Sequence, residues 1–95
     1  MIITENAAIE LKKIMTNQGM SIDIFAIKIG TVQEQNGLKY SINFEPIENE
    51  IDESTLIKTK DITVKIDKKS KIYLENTTID FYKNNQKSGF VFLNN

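Results

Sequence analysis

Residues 22–45 read IDIFAIKIGTVQEQNGLKYSINFE, two β-like runs around a polar middle. The first run, residues 22–30, is β-branched and almost continuously apolar, the pattern of a strand covered on both faces. The second alternates. Leu38, Tyr40, Ile42 and Phe44 fall on one face and Lys39, Ser41, Asn43 and Glu45 on the other, as in a half-buried strand that Pro46 ends. Between them TVQEQNGLKY, residues 31–40, is expected to be a loop of the kind that holds something. It offers no cysteine, no histidine and only one acid, Glu34.

Outward from this pair the chain alternates helix and strand signals. Thr4 is placed to cap a helix in which Ala7, Leu11, Ile14 and Met15 recur at one-face spacing, and Gly19 follows where a left-handed terminating residue belongs. The segment EPIENEIDES, residues 45–54, has too few periodic apolar residues for an element. It lacks the glycine and tight ligand spacing of a calcium loop, so it reads as a solvated connection. STLIKTKDITVKI predicts two short strands meeting at Lys60–Asp61, with Ile62, Val64 and Ile66 alternating with Thr63 and Lys65. Asp67 is placed to cap a short helix over residues 68–74. A turn at Glu75 and Asn76, the strand TTIDFY, the turn KNNQKSG and the strand FVFLNN complete the chain. The sum is an α+β fold of mostly antiparallel short strands, with one N-terminal helix and one short internal helix. Its 95 residues suit a single domain over 1–95.

Composition removes several functions. With no cysteine and no histidine there is no disulfide, no thiolate or imidazole catalysis and no Cys/His zinc site. A net charge of −1 argues against non-specific nucleic-acid binding. MIITENAAIELKK turns polar too early for a secretory leader, and no apolar run approaches the ~20 residues of a membrane span, so the expected compartment is the cytoplasm. The lysines between Lys58 and Lys71 alternate with apolar positions and read as a solvated strand face. Phe25, Tyr40, Phe44, Phe81, Tyr82, Phe90 and Phe92 read as core packing rather than base-stacking platforms, because no basic groove accompanies them. Asp67, Asp80 and Tyr82 are the acid–base groups an enzyme would draw on, and capping or structural roles fit the two aspartates better.

Five phrases in register carry a family resemblance: ITENAAIELKKIM, Gly37-Leu38 with Tyr40, VKIDKKSKIYL, TTIDFY and SGFVFLNN. Together they resemble the A-type iron–sulfur cluster carriers, the HesB-like family, over nearly the whole chain. The resemblance implies that family's fold and a place in iron–sulfur cluster assembly. It also implies a cluster or iron held by three cysteines, one in a Gly–Cys–Ser/Thr–Gly phrase and two in a Cys–Gly–Cys tail. Here the first position aligns with Gln35, followed by Asn36 and Gly37, and the sequence stops at Asn95 before the tail would begin. Cluster iron favours thiolates strongly over neutral amides, so residues 35–37 read as a cluster loop without its ligand and no cofactor is expected.

Three functions follow. The first is a non-enzymatic contact module, homodimeric and docking to protein partners such as iron–sulfur assembly factors, with no nucleic acid or membrane. Glu34, Ser88 and Gly89 are its candidate contact residues. The second is a weak iron or cluster binder using Glu34 with amide help from Gln35 or Asn36. The third is a small-ligand binder or enzyme on the same fold, which a buried pocket at Asp80 with a raised carboxyl pKa would favour.

Overall fold

The computed structural model describes residues 1–48 and 55–94. Its elements are β1 (Ile2–Ile3), α1 (Glu5–Asn17), β2 (Phe25–Glu34), β3 (Gly37–Pro46), β4 (Thr55–Thr59), β5 (Ile62–Ile66), α2 (Lys71–Leu74), β6 (Thr77–Lys83) and β7 (Ser88–Asn94). They form two sheets, ordered β1-β6-β7 and β3-β2-β5-β4. The pairs β2–β3, β4–β5 and β6–β7 are antiparallel. The pairs β1–β6 and β2–β5 are parallel. The α+β, mostly antiparallel architecture expected from the sequence is the one found.

Thr4 begins α1 as its residue type requires. Its hydroxyl accepts the Ala7 N–H at 3.2 Å, satisfying one of the donors a helix start leaves open. The helix stops in a Schellman motif: Gly19, at φ 73, donates to the Thr16 carbonyl and Met20 to that of Met15. Ala7, Ala8, Leu11 and Met15 are the buried face. They meet Ile3 and Ile79 from one sheet, Ile27, Ile29, Ile62, Val64 and Ile66 from the other, and Leu74 of α2. Aromatic rings border this core: Tyr40 stacks on Phe92 at 4.3 Å and 6°, and Phe81 meets Phe90 edge-on at 5.0 Å. Tyr82 departs from the expected core set and is about half exposed.

Three expectations need correction. Residues 21–24 form a turn rather than the start of a strand, and β2 instead runs on from Phe25 to Glu34. The Asp67 carboxylate does cap, accepting the Ser70 N–H at 2.7 Å, but it caps the turn before α2 and the helix occupies only Lys71–Leu74. The lysine-rich stretch is not uniformly solvated, because all five residues of β5 are buried, Lys65 fully. β5 is an inner strand and is covered on both faces, which alternation alone does not reveal. The acidic connection falls largely on residues 49–54, outside the described residues.

Lys65 and Lys28 are register neighbours on β5 and β2, a like-charge juxtaposition that would oppose pairing. Glu45 resolves it, with carboxylate oxygens 2.7 Å from Lys65 Nζ and 3.8 Å from Lys28 Nζ. Lys65 is buried while Glu45 and Lys28 are partly exposed, so removing the carboxylate costs chiefly through Lys65, and apolar replacement of the buried partner is often tolerated. Glu45→Gln is expected to destabilise by about 2–4 kcal/mol. Adding Lys65→Met should recover most of that loss, and denaturant titration of the single and double variants checks both.

Candidate functional site

Residues 31–40 are not a loop. β2 and β3 stay paired residue for residue from Phe25↔Pro46 to Glu34↔Gly37, so only Gln35 and Asn36 turn the chain. Two-residue hairpins commonly place positive φ on the turn residues themselves; here it falls on Gly37, at φ 122, where a side chain would be strained. β5 supports β2 only from Ile27 to Ile29. Beyond Thr31 the ribbon therefore stands out as an arm, with residues 32–37 all exposed.

Ser70 fixes the root of the arm. Fully buried, its Oγ accepts the Thr31 N–H at 2.9 Å and lies 3.0 Å from the Thr31 hydroxyl, supplying the partner that β5 no longer offers. Gly30 permits this approach, since a Cβ there would sit 3.1 Å from Ser41 Oγ and 3.9 Å from Ser70 Oγ. Nothing in the sequence signals this clamp, because Ser70 lies within the VKIDKKSKIYL phrase, 39 positions from Thr31.

At the tip the donors are the side-chain amides of Gln35 and Asn36 and the carboxylate of Glu34. That carboxylate is engaged with Lys39 Nζ at 3.1 Å, both side chains largely exposed. Neutral amides and one cation-paired carboxylate in water do not make the thiolate environment that cluster iron requires. Among the described residues no three histidine, cysteine, aspartate or glutamate side chains converge as a metal group would need. The tip does not fit a cluster.

Ser88 and Gly89 lie elsewhere, at the start of β7 in the other sheet, paired with Lys83 and Tyr82. Among the described residues no hydrogen bond, ion pair or ring contact joins them to Glu34, Gln35, Asn36 or Gly37, so the sequence-predicted residues form two separate surfaces.

Asp80 borders an open groove of about 480 Å³ shared with Asn6, Ile9, Glu10 and Tyr82. Its Oδ1 accepts the Thr4 hydroxyl at 2.5 Å and the Phe81 N–H at 2.8 Å. The Thr4 hydroxyl chiefly, and then the Phe81 amide, hold this carboxyl below its ordinary range against the opposing effect of burial. A proton-transfer role called for the opposite shift. Asp80 is a structural acceptor joining the start of α1 to β6.

The whole chain, residues 1–95, matches the family model described as iron-sulphur cluster biosynthesis. It is 32% identical over 93 residues to the iron-binding protein IscA of Proteus mirabilis and 30% identical to that of Photorhabdus laumondii. Each alignment covers 97% of this chain and 82% of the relative. Among solved structures it is similar to IscA with the [2Fe-2S] cluster, at a TM-score of 0.77 and 18% identity over 98% of this chain and 83% of that one. It is similar also to SufA of Escherichia coli, at a TM-score of 0.71 and 14% identity, over 98% of this chain and 78% of that one. At these identities the two structures establish the shared fold.

Two measurements test the local readings. Ser70→Ala leaves the buried Thr31 N–H without its acceptor and should cost about 1–3 kcal/mol in chemical denaturation, with faster amide exchange at Thr31. Asp80→Asn should lower Tm at neutral pH. Because the folded carboxyl titrates below its unfolded value, its contribution is complete above about pH 4 and is lost as pH falls through the folded pKa. The Tm gap between wild type and variant should therefore close below about pH 4, which thermal melts across pH would show.

Proposed function

Given that the chain belongs to the iron-sulphur cluster biosynthesis family, we propose that it serves that process by contact rather than by carriage. In this reading it is a non-enzymatic accessory that has kept the carrier fold, lost the ligand at the hairpin tip, and works in the cytoplasm as a homodimer that docks to assembly factors. The observation that carries the reading is Gln35. It stands at the turn of a projecting arm where the resemblance places a ligand cysteine, beside Asn36 and Gly37 and a carboxylate already held by Lys39. The arm itself is intact, anchored by Ser70 and free on its outer surface, as a contact element should be. Glu34 belongs to that surface, and Ser88 and Gly89 to a second one on β7.

Residual iron binding through Glu34 is the weaker reading, because one exposed carboxylate paired with a lysine gives a ferrous ion too few ligands. Anaerobic incubation of purified chain with ferrous iron and sulfide, followed by desalting, is expected to leave iron far below one per chain and no visible cluster absorbance. Gln35→Cys treated the same way should also remain colourless, since one thiolate does not complete a cluster site. A stoichiometric red complex in either sample would reverse the conclusion. Pull-down with the native chain should retrieve iron–sulfur assembly proteins, and their absence would remove the docking part.

A further inference from the structure

We propose that Asn36 is a self-modifying site. In the folded chain the backbone nitrogen of Gly37 attacks its side-chain amide, and the residue becomes aspartate or isoaspartate, so the arm tip gains a carboxylate. The reaction belongs to this chain alone and does not rest on the proposed function.

Water is the only co-reactant. The Gly37 nitrogen bonds to Asn36 Cγ, the Cγ–Nδ2 bond breaks, and ammonia leaves with the proton released by the Gly37 amide. Water then opens the five-membered imide ring at one of its two carbonyl groups, giving aspartate from one and isoaspartate from the other. Nothing is oxidised or reduced. Because nucleophile and target are already joined, ring closure needs no second molecule, and crowding by the following side chain is what usually slows it.

Asn36 is the one asparagine of this chain that glycine follows. A Cβ added at Gly37 would meet nothing within 4 Å, but the φ of 122 there is one that other residues rarely adopt. The residue this turn favours is thus the one that leaves the attacking nitrogen bare. Both residues are exposed to water. Among the described residues no hydrogen bond holds the Asn36 side chain. Asn84 and Asn94 show the contrast. The Asn84 amide donates to the Tyr82 hydroxyl at 2.8 Å and accepts from the Gln86 and Lys87 N–H groups, and Asn94 accepts from the Thr77 hydroxyl at 3.1 Å.

Ring closure also requires Gly37 to swing out of its pairing with Glu34. That pair is the last of the ribbon, and β5 supports β2 only as far as Ile29. A two-stranded ribbon without a third strand is marginal in water and opens first at its end. After reaction the tip carries carboxylates at positions 34 and 36 beside the single ammonium of Lys39, and the formal net charge of the chain falls by one from −1. Isoaspartate also lengthens the backbone by one methylene where the two strands meet.

Purified full chain, held at about 37 °C and sampled by ion-exchange chromatography, should develop a more acidic species. It should form faster at about pH 9 than at about pH 7, since the deprotonated nitrogen is the nucleophile. Peptide mapping by mass spectrometry should find both acid isomers at position 36, with conversion there outrunning that at Asn84 by about tenfold or more. Asn36→Gln keeps a neutral amide but must close a larger ring, and should yield no such species over the same period. A folded chain that retains the Asn36 amide while the same chain in concentrated urea loses it overturns the proposal, because the paired turn then protects the site. An acidic species that maps to another asparagine, or that persists in Asn36→Gln, overturns it too. Each of these results leaves the iron and pull-down tests of the proposed function as they were.

Discussion

One hydroxyl group closes this fold. Thr4 Oγ accepts from the first turn of α1 and donates to Asp80 on β6, while the Thr4 amide donates to Ile79. A single residue thus ends β1, starts the helix and fastens both to the strand that runs beside them. Without that junction Leu11 and Met15 have no fixed angle at which to enter the core, since a helix this short gains its stability from packing rather than propensity. The same contact holds the Asp80 carboxyl below its ordinary range, in line with the structural role that its place in the sequence favours.

The legible part of the fold was local. Helix α1 with both its caps, the alternation of β3, and the turns at Lys60–Asp61 and after β6 follow from residue types within a few positions of one another. What escaped was set by distant neighbours. Lys65 looks solvated in sequence because its partners Lys28 and Glu45 are far away along the chain, and only sheet order reveals β5 as an inner strand. Ser70 looks like an ordinary helix-start residue until β2 passes it. The candidate site was half legible: Gln35, Asn36 and Gly37 do occupy an exposed turn, but the ten-residue loop shrank to two residues, because strand pairing continued through positions that lack apolar alternation.

In the proposed reading, chemistry and architecture have separated in this chain. The arm that the resemblance associates with cluster ligation is paired to its end and rooted by a buried serine, with Gly37 at positive φ just after the turn, yet its tip holds amides. Keeping a projecting ribbon exposes backbone and apolar surface such as Val32, a cost with no return if the arm touches nothing. That tension is what makes contact the more economical account.

The mixture of strand directions has a kinetic consequence. The three antiparallel pairs are hairpin neighbours in sequence and can zip locally, the Lys60–Asp61 turn with both residues at positive φ already matching strand twist. The parallel pairings cannot. Bringing Thr4 to Asp80 spans 76 positions, and chain closure on that scale must be paid in entropy before any contact rewards it. The nascent polypeptide therefore carries β1 and Thr4 without their partners on β6 until β6 has been synthesised.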